Sequence, residues 1–240
     1  VLKNPYLTAQ ALGLPQFNSP WDVAFQHQIE AAKMEGNCVL IAPTGSGKTE
    51  AALLWAARNA VYGHESTPFF YVLPYQASLN AMRARLGKSF GDTNVVLQHS
   101  RALLALYREL LNKEYLPTEA RAMAIKEVRL SRLYVASIRV LTPYQLFRGA
   151  FQLKGHEAMW TDCFGGRMVI DEIHAYEPRR LGMFLATLRH FVKDLRLKVF
   201  VMSATLPSIL RELLDEMLQC SHTIFAKKDS YAKFRRHRLR

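Results

Sequence analysis

Cysteine is scarce in this chain of 240 residues, and apolar segments long enough to cross a membrane are lacking. The three cysteines, Cys38, Cys163 and Cys220, are scattered and form no Cys-x-x-Cys pair, which argues against a disulfide framework and a zinc site. No apolar run reaches the ~20 residues that a membrane-spanning helix needs, and no signal peptide is visible. We therefore expect a protein of the reducing cytoplasm with no membrane partner.

Acidic residues are also few, since 20 Asp and Glu stand against 32 Lys and Arg, and the net charge is +12. An excess of this size favours a polyanionic partner such as a nucleic acid. The basic stretch 227–240 is consistent either with a nucleic-acid-binding arm or with the start of a linker to a further domain.

Apolar residues make up 50% of the chain, which excludes a disordered protein and is enough for one large domain, expected over residues 1–226. Strand-like and helix-like segments alternate, which predicts a doubly wound α/β fold with a mostly parallel sheet and helices on both faces. The predicted strands are 38–43, 68–74, 94–99, 138–142, 167–172, 198–204 and 222–226. The predicted helices are 49–61, 76–89, 100–113, 117–134, 143–151, 178–194 and 207–218.

The segment 42–49, Ala-Pro-Thr-Gly-Ser-Gly-Lys-Thr, is a phosphate-binding loop between an apolar strand and a helix-forming run. Its two glycines let successive backbone N–H groups point at one phosphate, and the helix that follows adds its positive N-terminal end. Lys48 would reach the β- and γ-phosphates of ATP, and the Thr49 hydroxyl would bind Mg²⁺. The candidate nucleotide ligands of this loop are Thr44, Gly45, Ser46, Gly47, Lys48 and Thr49.

A second apolar strand ends in the adjacent carboxylates Asp171 and Glu172. At the carboxyl end of a parallel strand they would face the phosphate-binding loop across the ligand crevice. Asp171 would hold Mg²⁺, which prefers hard oxygen ligands, and Glu172 would position and deprotonate the attacking water. Lys48, Asp171 and Glu172 are therefore the candidate catalytic residues.

Three further strand ends carry residues suited to contacts with a nucleic-acid backbone, namely Pro74 and Gln76, Ser100, and Thr142. Hydroxyl groups and helix N-terminal amides bind phosphates without reading bases. Because the strands are parallel, these loops should lie on the same edge as the ATP site. The nucleic acid expected there is single-stranded DNA, although RNA is possible.

The chain resembles superfamily 2 helicases of the DEAD/DEAH type in its phosphate-binding loop, in Asp171-Glu172-Ile173-His174 and in Ser203-Ala204-Thr205. The resemblance implies a RecA-like motor domain in which His174, Ser203 and Thr205 couple ATP hydrolysis to movement. It also implies an adenine-reading glutamine, for which the spacing to Gly36 favours Gln26, with Gln28 as a near rival.

Within that superfamily, the segments 169–178, 98–102 and 142–146 resemble the CRISPR-associated helicase of type I systems, the helicase half of a helicase–nuclease. The resemblance implies ATP-driven translocation on single-stranded DNA and recruitment by a guide-RNA surveillance complex. The sequence contains no His-Asp dyad of the kind that the nuclease uses. It also does not include the second RecA-like domain, which supplies an arginine finger. We therefore expect the first motor domain of a larger enzyme, which by itself hydrolyses ATP weakly.

Other classes stay open at this point. A repair helicase or an RNA helicase would carry the same motifs. A phosphate-binding-loop ATPase that acts on proteins or small molecules would turn over ATP without regard to DNA. A non-catalytic interaction domain would bind its partners unchanged after Lys48→Ala.

Overall fold

The computed structural model describes residues 2, 5–12, 26–60, 67–98, 102–132, 137–153, 156–219, 222–227 and 231. Seven strands form one sheet in the order β3-β4-β2-β5-β6-β1-β7, and every pair of neighbours is parallel. The strands are β1 (Cys38–Ile41), β2 (Phe69–Val72), β3 (Val95–Gln98), β4 (Ile138–Leu141), β5 (Arg167–Asp171), β6 (Lys198–Ser203) and β7 (Thr223–Phe225).

All seven predicted strands are confirmed, with slightly shorter bounds. Their near-continuous apolar sequences fit this arrangement because strands of a parallel sheet are covered on both faces. In β2, for example, all four residues of Phe69–Val72 are buried.

The helices are α1 (Pro5–Ala11), α2 (Gln26–Lys33), α3 (Lys48–Arg58), α4 (Gln76–Phe90), α5 (Ala102–Asn112), α6 (Pro117–Arg132), α7 (Pro143–Ala150), α8 (His156–Cys163), α9 (Pro178–Leu195) and α10 (Ser208–Leu218). The seven predicted helices are all present. The sequence reading omitted α1, α2 and α8, which span only seven or eight residues. The apolar periodicity of these segments is weak, and helices this short depend on tertiary packing for their stability.

Helices cover both faces of the sheet, as predicted. One face carries α2, α3 and α4, whose apolar side chains join a core that includes Leu40, Tyr71 and Phe200. The other carries α7, α8, α9 and α10, which pack on Val39, Phe70 and other alternate strand residues. Within the described residues, no helix is both long and apolar enough to cross a membrane.

The strand order decides which loops meet. All strands are parallel, so the loops after their carboxyl ends lie along one edge, called here the loop edge. Over β5, β6 and β1 this edge carries the carboxylate pair, Ser203 and the phosphate-binding loop. Over β4 and β2 it carries the loops at Thr142 and at Pro74 and Gln76, which are predicted to contact nucleic acid.

Candidate nucleotide-binding site

The phosphate-binding loop leaves β1 and enters α3 through two residues with left-handed backbone conformation. Gly45 has a φ of 86°, and Gly47, the N-cap of α3, has a φ of 82°. The Ser46 side chain turns back on the loop and donates to the Pro43 carbonyl at 2.8 Å. This conformation leaves the first N–H groups of α3 free of a side-chain cap, as an anion-binding helix N-terminus requires.

Helix α2 supports the loop from the side. His27 donates from Nε2 to the Ser46 carbonyl at 2.9 Å, and Gln28 donates to the Gly47 carbonyl at 3.2 Å. Burial lowers the pKa of His27, and the charge of Lys48 lowers it further. Gln28 lines the cleft, whereas Gln26 is not among the cleft-lining residues, so the geometry favours the rival glutamine as the nucleotide-facing one.

Lys48 lies at the first position of α3, and its ammonium group is 3.5 Å from the Pro43 carbonyl. Burial lowers its pKa, and the carboxylates of Glu172 and Asp171 act in the opposite direction. The lysine therefore faces both acidic residues across the loop edge. Among the described residues, the Lys48 ammonium group donates only this one long hydrogen bond, so it is suited to bind an anionic ligand.

Asp171 ends β5 and is only 8% exposed. Its Oδ2 atom accepts a hydrogen bond from the Tyr71 hydroxyl of β2 at 3.0 Å, while its buried Oδ1 atom has no hydrogen-bond partner among the described residues. Burial and the charge of Glu172 raise the pKa of Asp171 to about 6, although Tyr71 and Lys48 oppose the shift. A buried carboxylate oxygen without a partner is costly and is a fitting ligand for a hard cation.

The residues assigned to coupling form one chain of contacts with Glu172. Glu172 adopts a left-handed conformation, φ 52°, and its Oε2 atom is 3.3 Å from His174 Nδ1. The same His174 nitrogen is 2.7 Å from Ser203 Oγ. The Ser203 hydroxyl donates to the Thr205 carbonyl at 2.6 Å, so the ring nitrogen is the donor toward Ser203.

Arg85 of α4 is a site residue that the sequence reading missed. Its Nη1 atom donates to Thr49 Oγ1 at 3.2 Å, and its Nη2 atom forms a close ion pair with Glu50. The Arg85 guanidinium thus forms a hydrogen bond with the Thr49 hydroxyl, which is the group that would bind Mg²⁺. Tyr71 was also missed. The only signal for it in the sequence is a hydroxyl group within an otherwise apolar strand.

The phosphate-binding loop, the Asp171–Glu172 pair and residues of α2 and α4 line one cleft of about 630 Å³, a size typical of ligand sites. Its lining residues are Gln28, Thr44, Gly45, Gly47, Lys48, Thr49, Glu50, Leu73, Ser78, Ala81, Met82, Arg85, Asp171 and Glu172. In the part of the chain that the structure describes, no group of three or more His, Cys, Asp or Glu residues could hold a metal. The donor set instead fits Mg²⁺, which takes one or two protein ligands and completes its shell with phosphate oxygens and water.

Two of the three loops predicted to contact nucleic acid are described by the structure, and both lie on the same edge as this cleft. Gln76 begins α4 and is exposed, Pro74 is half-buried, and Thr142 is the N-cap of α7. Thr142 is only 5% exposed, which leaves little of its hydroxyl for a ligand. Ser100 lies outside the described residues, and so does the basic stretch 228–240 apart from Tyr231.

Comparison with known families gives one match, in which residues 24–213 fit the model described as DEAD/DEAH box helicase. The CRISPR-associated nuclease/helicase Cas3 of Methanothermobacter thermautotrophicus is 30% identical over 203 residues, which are 83% of this chain and 22% of that protein. The chain spans less than a quarter of the length of such curated relatives.

Two solved structures share the fold. The T. fusca Cas3–ADP structure has a TM-score of 0.57 and 24% identity, and the match covers 89% of this chain and 26% of that one. The DUF1998 helicase MrfA, bound to DNA and AMPPNP, has a TM-score of 0.60 and 16% identity, with 93% and 29% covered. The all-parallel sheet is therefore the RecA-like α/β fold of these helicases.

Proposed function

Because this chain belongs to the DEAD/DEAH box helicase family, we propose that it is the ATP-binding motor domain of a helicase that translocates on single-stranded DNA. The observation that carries the proposal is that the phosphate-binding loop and the Asp171–Glu172 pair face each other in one cleft, with Ser203 joined to Glu172 through His174. The phosphate-binding loop, the Asp171–Glu172 pair and Ser203 come from the neighbouring strands β1, β5 and β6.

The side chains divide the work by their chemistry. Lys48 and the N-terminal amides of α3 hold the β- and γ-phosphates, while Thr49 and Asp171 are the Mg²⁺ ligands. The metal ion, when bound, neutralises the charge that develops on the phosphoryl oxygens. Glu172 takes the proton of the attacking water, and Tyr71 keeps Asp171 in position through its hydroxyl.

We propose that His174, Ser203 and Thr205 transmit the state of the site. His174 touches both Glu172 and Ser203, and the hydroxyl of Ser203 reaches the Thr205 carbonyl. A change in the position of Glu172 during hydrolysis therefore reaches the strand end of β6 through two short polar contacts. Such a contact chain is a physical route for coupling, which mutation of its members can test.

The isolated motor domain, residues 1–226, should bind nucleotide but hydrolyse it weakly. Phosphoryl transfer of this kind needs positive charge beyond Lys48 and the metal ion, commonly an arginine supplied by another domain. We place that arginine in a second RecA-like domain, to which the stretch 227–240 would lead. The cytoplasm is the proposed location.

The similarity to Cas3 supports a role in CRISPR interference, with a guide-RNA surveillance complex as the partner that recruits the enzyme. The DNA in the MrfA structure supports DNA as the polymer. The loops at Pro74, Gln76, Ser100 and Thr142 would contact phosphates, so binding should be independent of sequence and sensitive to salt.

Fluorescence anisotropy with two unrelated single-stranded DNA oligonucleotides and one RNA, across a salt series, tests this function. We expect equal affinity for the two DNA sequences, a log–log salt slope of about −0.7 per neutralised phosphate, and a change in affinity when Mg²⁺–AMPPNP is added. Nucleotide binding without any effect of DNA would instead favour an ATPase that acts on another substrate. Tighter binding of RNA would favour an RNA helicase.

A further inference from the structure

Three tyrosines come together at the loop edge beside the ATP site. Tyr75 follows β2, Tyr144 lies in the first turn of α7 after β4, and Tyr176 follows β5. These three strands are neighbours in the order β4-β2-β5. We call this group the tyrosine floor.

Tyr75 and Tyr144 are open to solvent, whereas Tyr176 is held in place. Tyr75 is 58% exposed and Tyr144 is 48% exposed. Tyr176 packs against Phe184 with a ring-centroid distance of 5.4 Å. Burial raises the pKa of Tyr176, and the charges of Asp171, Tyr144 and Tyr75 add to this, so the floor adjoins the catalytic carboxylate.

Tyr75 and Tyr144 each have a contact that limits their movement. The Tyr75 hydroxyl donates to the Ala175 carbonyl at 3.5 Å. The Tyr144 ring packs edge-on against Phe147 at 5.9 Å, and the guanidinium of Arg180 lies over it at 5.9 Å. Exposed, ordered aromatic rings beside a cation are the usual platform for unpaired bases, which stack on aromatic rings and on guanidinium planes alike.

We propose that the tyrosine floor binds bases of single-stranded nucleic acid by stacking, mainly on Tyr144 and Arg180. This inference rests on the proposed function and adds a base contact to a track otherwise made of phosphate contacts. A single strand is the favoured occupant for two reasons. Arg179 and Arg180 begin α9 at this edge, with a helix N-terminus that attracts phosphates. Bases inside a duplex are also already stacked on one another and cannot reach the rings.

The position of the floor gives it a route to the ATP site. Tyr75 touches the carbonyl of Ala175, which ends the short turn that begins after Glu172. Tyr176 is the next residue along the chain. A base that moves the Tyr75 ring would therefore shift the segment that carries Glu172 and His174.

An abasic oligonucleotide separates stacking from phosphate contact because it keeps the charges and lacks the bases. We expect the 240-residue chain to bind a normal strand more tightly than an abasic strand of equal length. Tyr144→Leu should weaken binding of the normal strand by about fivefold to 150-fold, the effect of one stacked base, and leave the abasic strand unchanged. Tyr144→Phe should retain the wild-type affinity because the ring is kept.

Phe151→Leu is the matched control. Phe151 is exposed like Tyr144, but it lies at the far end of α7, roughly 10 Å along the helix. It should not change the affinity for either strand. Thermal unfolding of each variant, followed by circular dichroism, shows whether Tyr144→Leu remains folded.

Three results would overturn the inference. Equal affinity of the wild type for normal and abasic strands would mean that no base is stacked, while the proposed function would stand. A loss in Tyr144→Leu that is the same for both strands would give the ring a purely structural role. Failure of the wild type to bind any single strand would refute both the floor and the proposed function, and would leave this face to a protein partner.

Discussion

At the residue scale, the ATP site combines groups whose properties depend on being close together. Glu172 holds a left-handed conformation that is uncommon for a residue with a long side chain, and such backbone strain often occurs at functional positions. Its N–H donates to the Met202 carbonyl of β6 at 3.1 Å, which fixes the strained residue to the sheet. The carboxylate is thereby directed into the cleft beside Lys48.

Lys48→Ala should weaken nucleotide binding at least about tenfold, because a charge-assisted contact worth roughly 1.5–3 kcal/mol is lost. Titration of a fluorescent ATP analogue into both proteins measures this. Equal affinities would show that Lys48 does not hold the phosphates.

Glu172→Gln should leave ATP binding intact and abolish hydrolysis when the second motor domain is present. The amide keeps the shape of the carboxylate and cannot accept the proton of water. Binding of the ATP analogue and release of phosphate are the two measurements. Turnover near the wild-type rate would assign water activation to another group.

Arg85→Gln should increase the apparent affinity of the nucleotide complex for Mg²⁺, since the guanidinium now holds the Thr49 hydroxyl and adds positive charge there. The readout is the Mg²⁺ concentration that half-saturates binding of the ATP analogue. Arg58→Gln, which breaks an ion pair with Glu35 elsewhere on the surface, is the control. A higher Mg²⁺ requirement in Arg85→Gln would instead make the arginine a phosphate ligand.

At the element scale, α2 keeps the phosphate-binding loop in its open shape through His27 and Gln28. A Cβ atom at Gly47 would collide with the amide of Gln28, so the glycine is required both by its φ and by this close approach. The loop thus depends on a helix that precedes it by nineteen residues along the chain. The sequence motif alone does not include that support.

Gly47→Ala should therefore weaken ATP-analogue binding and reduce stability by more than Gly36→Ala. Gly36 has nearly the same φ, 80°, but a Cβ atom there meets nothing within 4 Å, so its cost is the left-handed strain of about 1–2 kcal/mol. Urea denaturation gives the difference in free energy of unfolding. Equal losses in the free energy of unfolding would mean that the Gln28 side chain moves away from the new Cβ atom at no cost.

At the scale of the whole molecule, Arg167 joins parts that are distant in sequence. It is buried at the start of β5 and donates to the carbonyls of Leu2, Ala56 and Thr67 at 2.9, 2.7 and 3.3 Å. Burial lowers its pKa to about 10, so the group stays charged near neutral pH. The N-terminal segment, the end of α3 and the approach to β2 are thus held around one guanidinium.

Arg167→Met should lower the free energy of unfolding by about 3 kcal/mol, because hydrogen bonds from a charged donor are lost and the carbonyls are left without that partner. Arg58→Met is the matched control, since its ion pair with Glu35 is exposed and should contribute less than about 1 kcal/mol. Urea midpoints of the two variants decide the point. Similar midpoints would mean that the carbonyls find other donors.

The sequence by itself determined the strands and most helices, and it supplied the central residues of the proposed ATP site. Gly45, Gly47, Lys48 and Thr49 are contiguous, so their chemistry is written in one short segment, and Asp171 is recognisable because it ends an apolar strand. The periodicity of apolar residues and the spacing of residues within a short motif are both readable from sequence. Helix α8 was missed because its apolar residues form only a weak amphipathic pattern, whereas α7, of equal length, is strongly amphipathic and begins with a proline directly after a strand end.

Only the tertiary structure decided which distant residues join that core. Tyr71 reaches Asp171 because β2 pairs with β5, one hundred residues later in the chain. Arg85, Gln28 and the tyrosine floor likewise depend on strand order and on the direction in which helices leave the sheet. These contacts depend on long-range packing. Local sequence does not predict them, because each of these side chains is also common on protein surfaces that bind nothing.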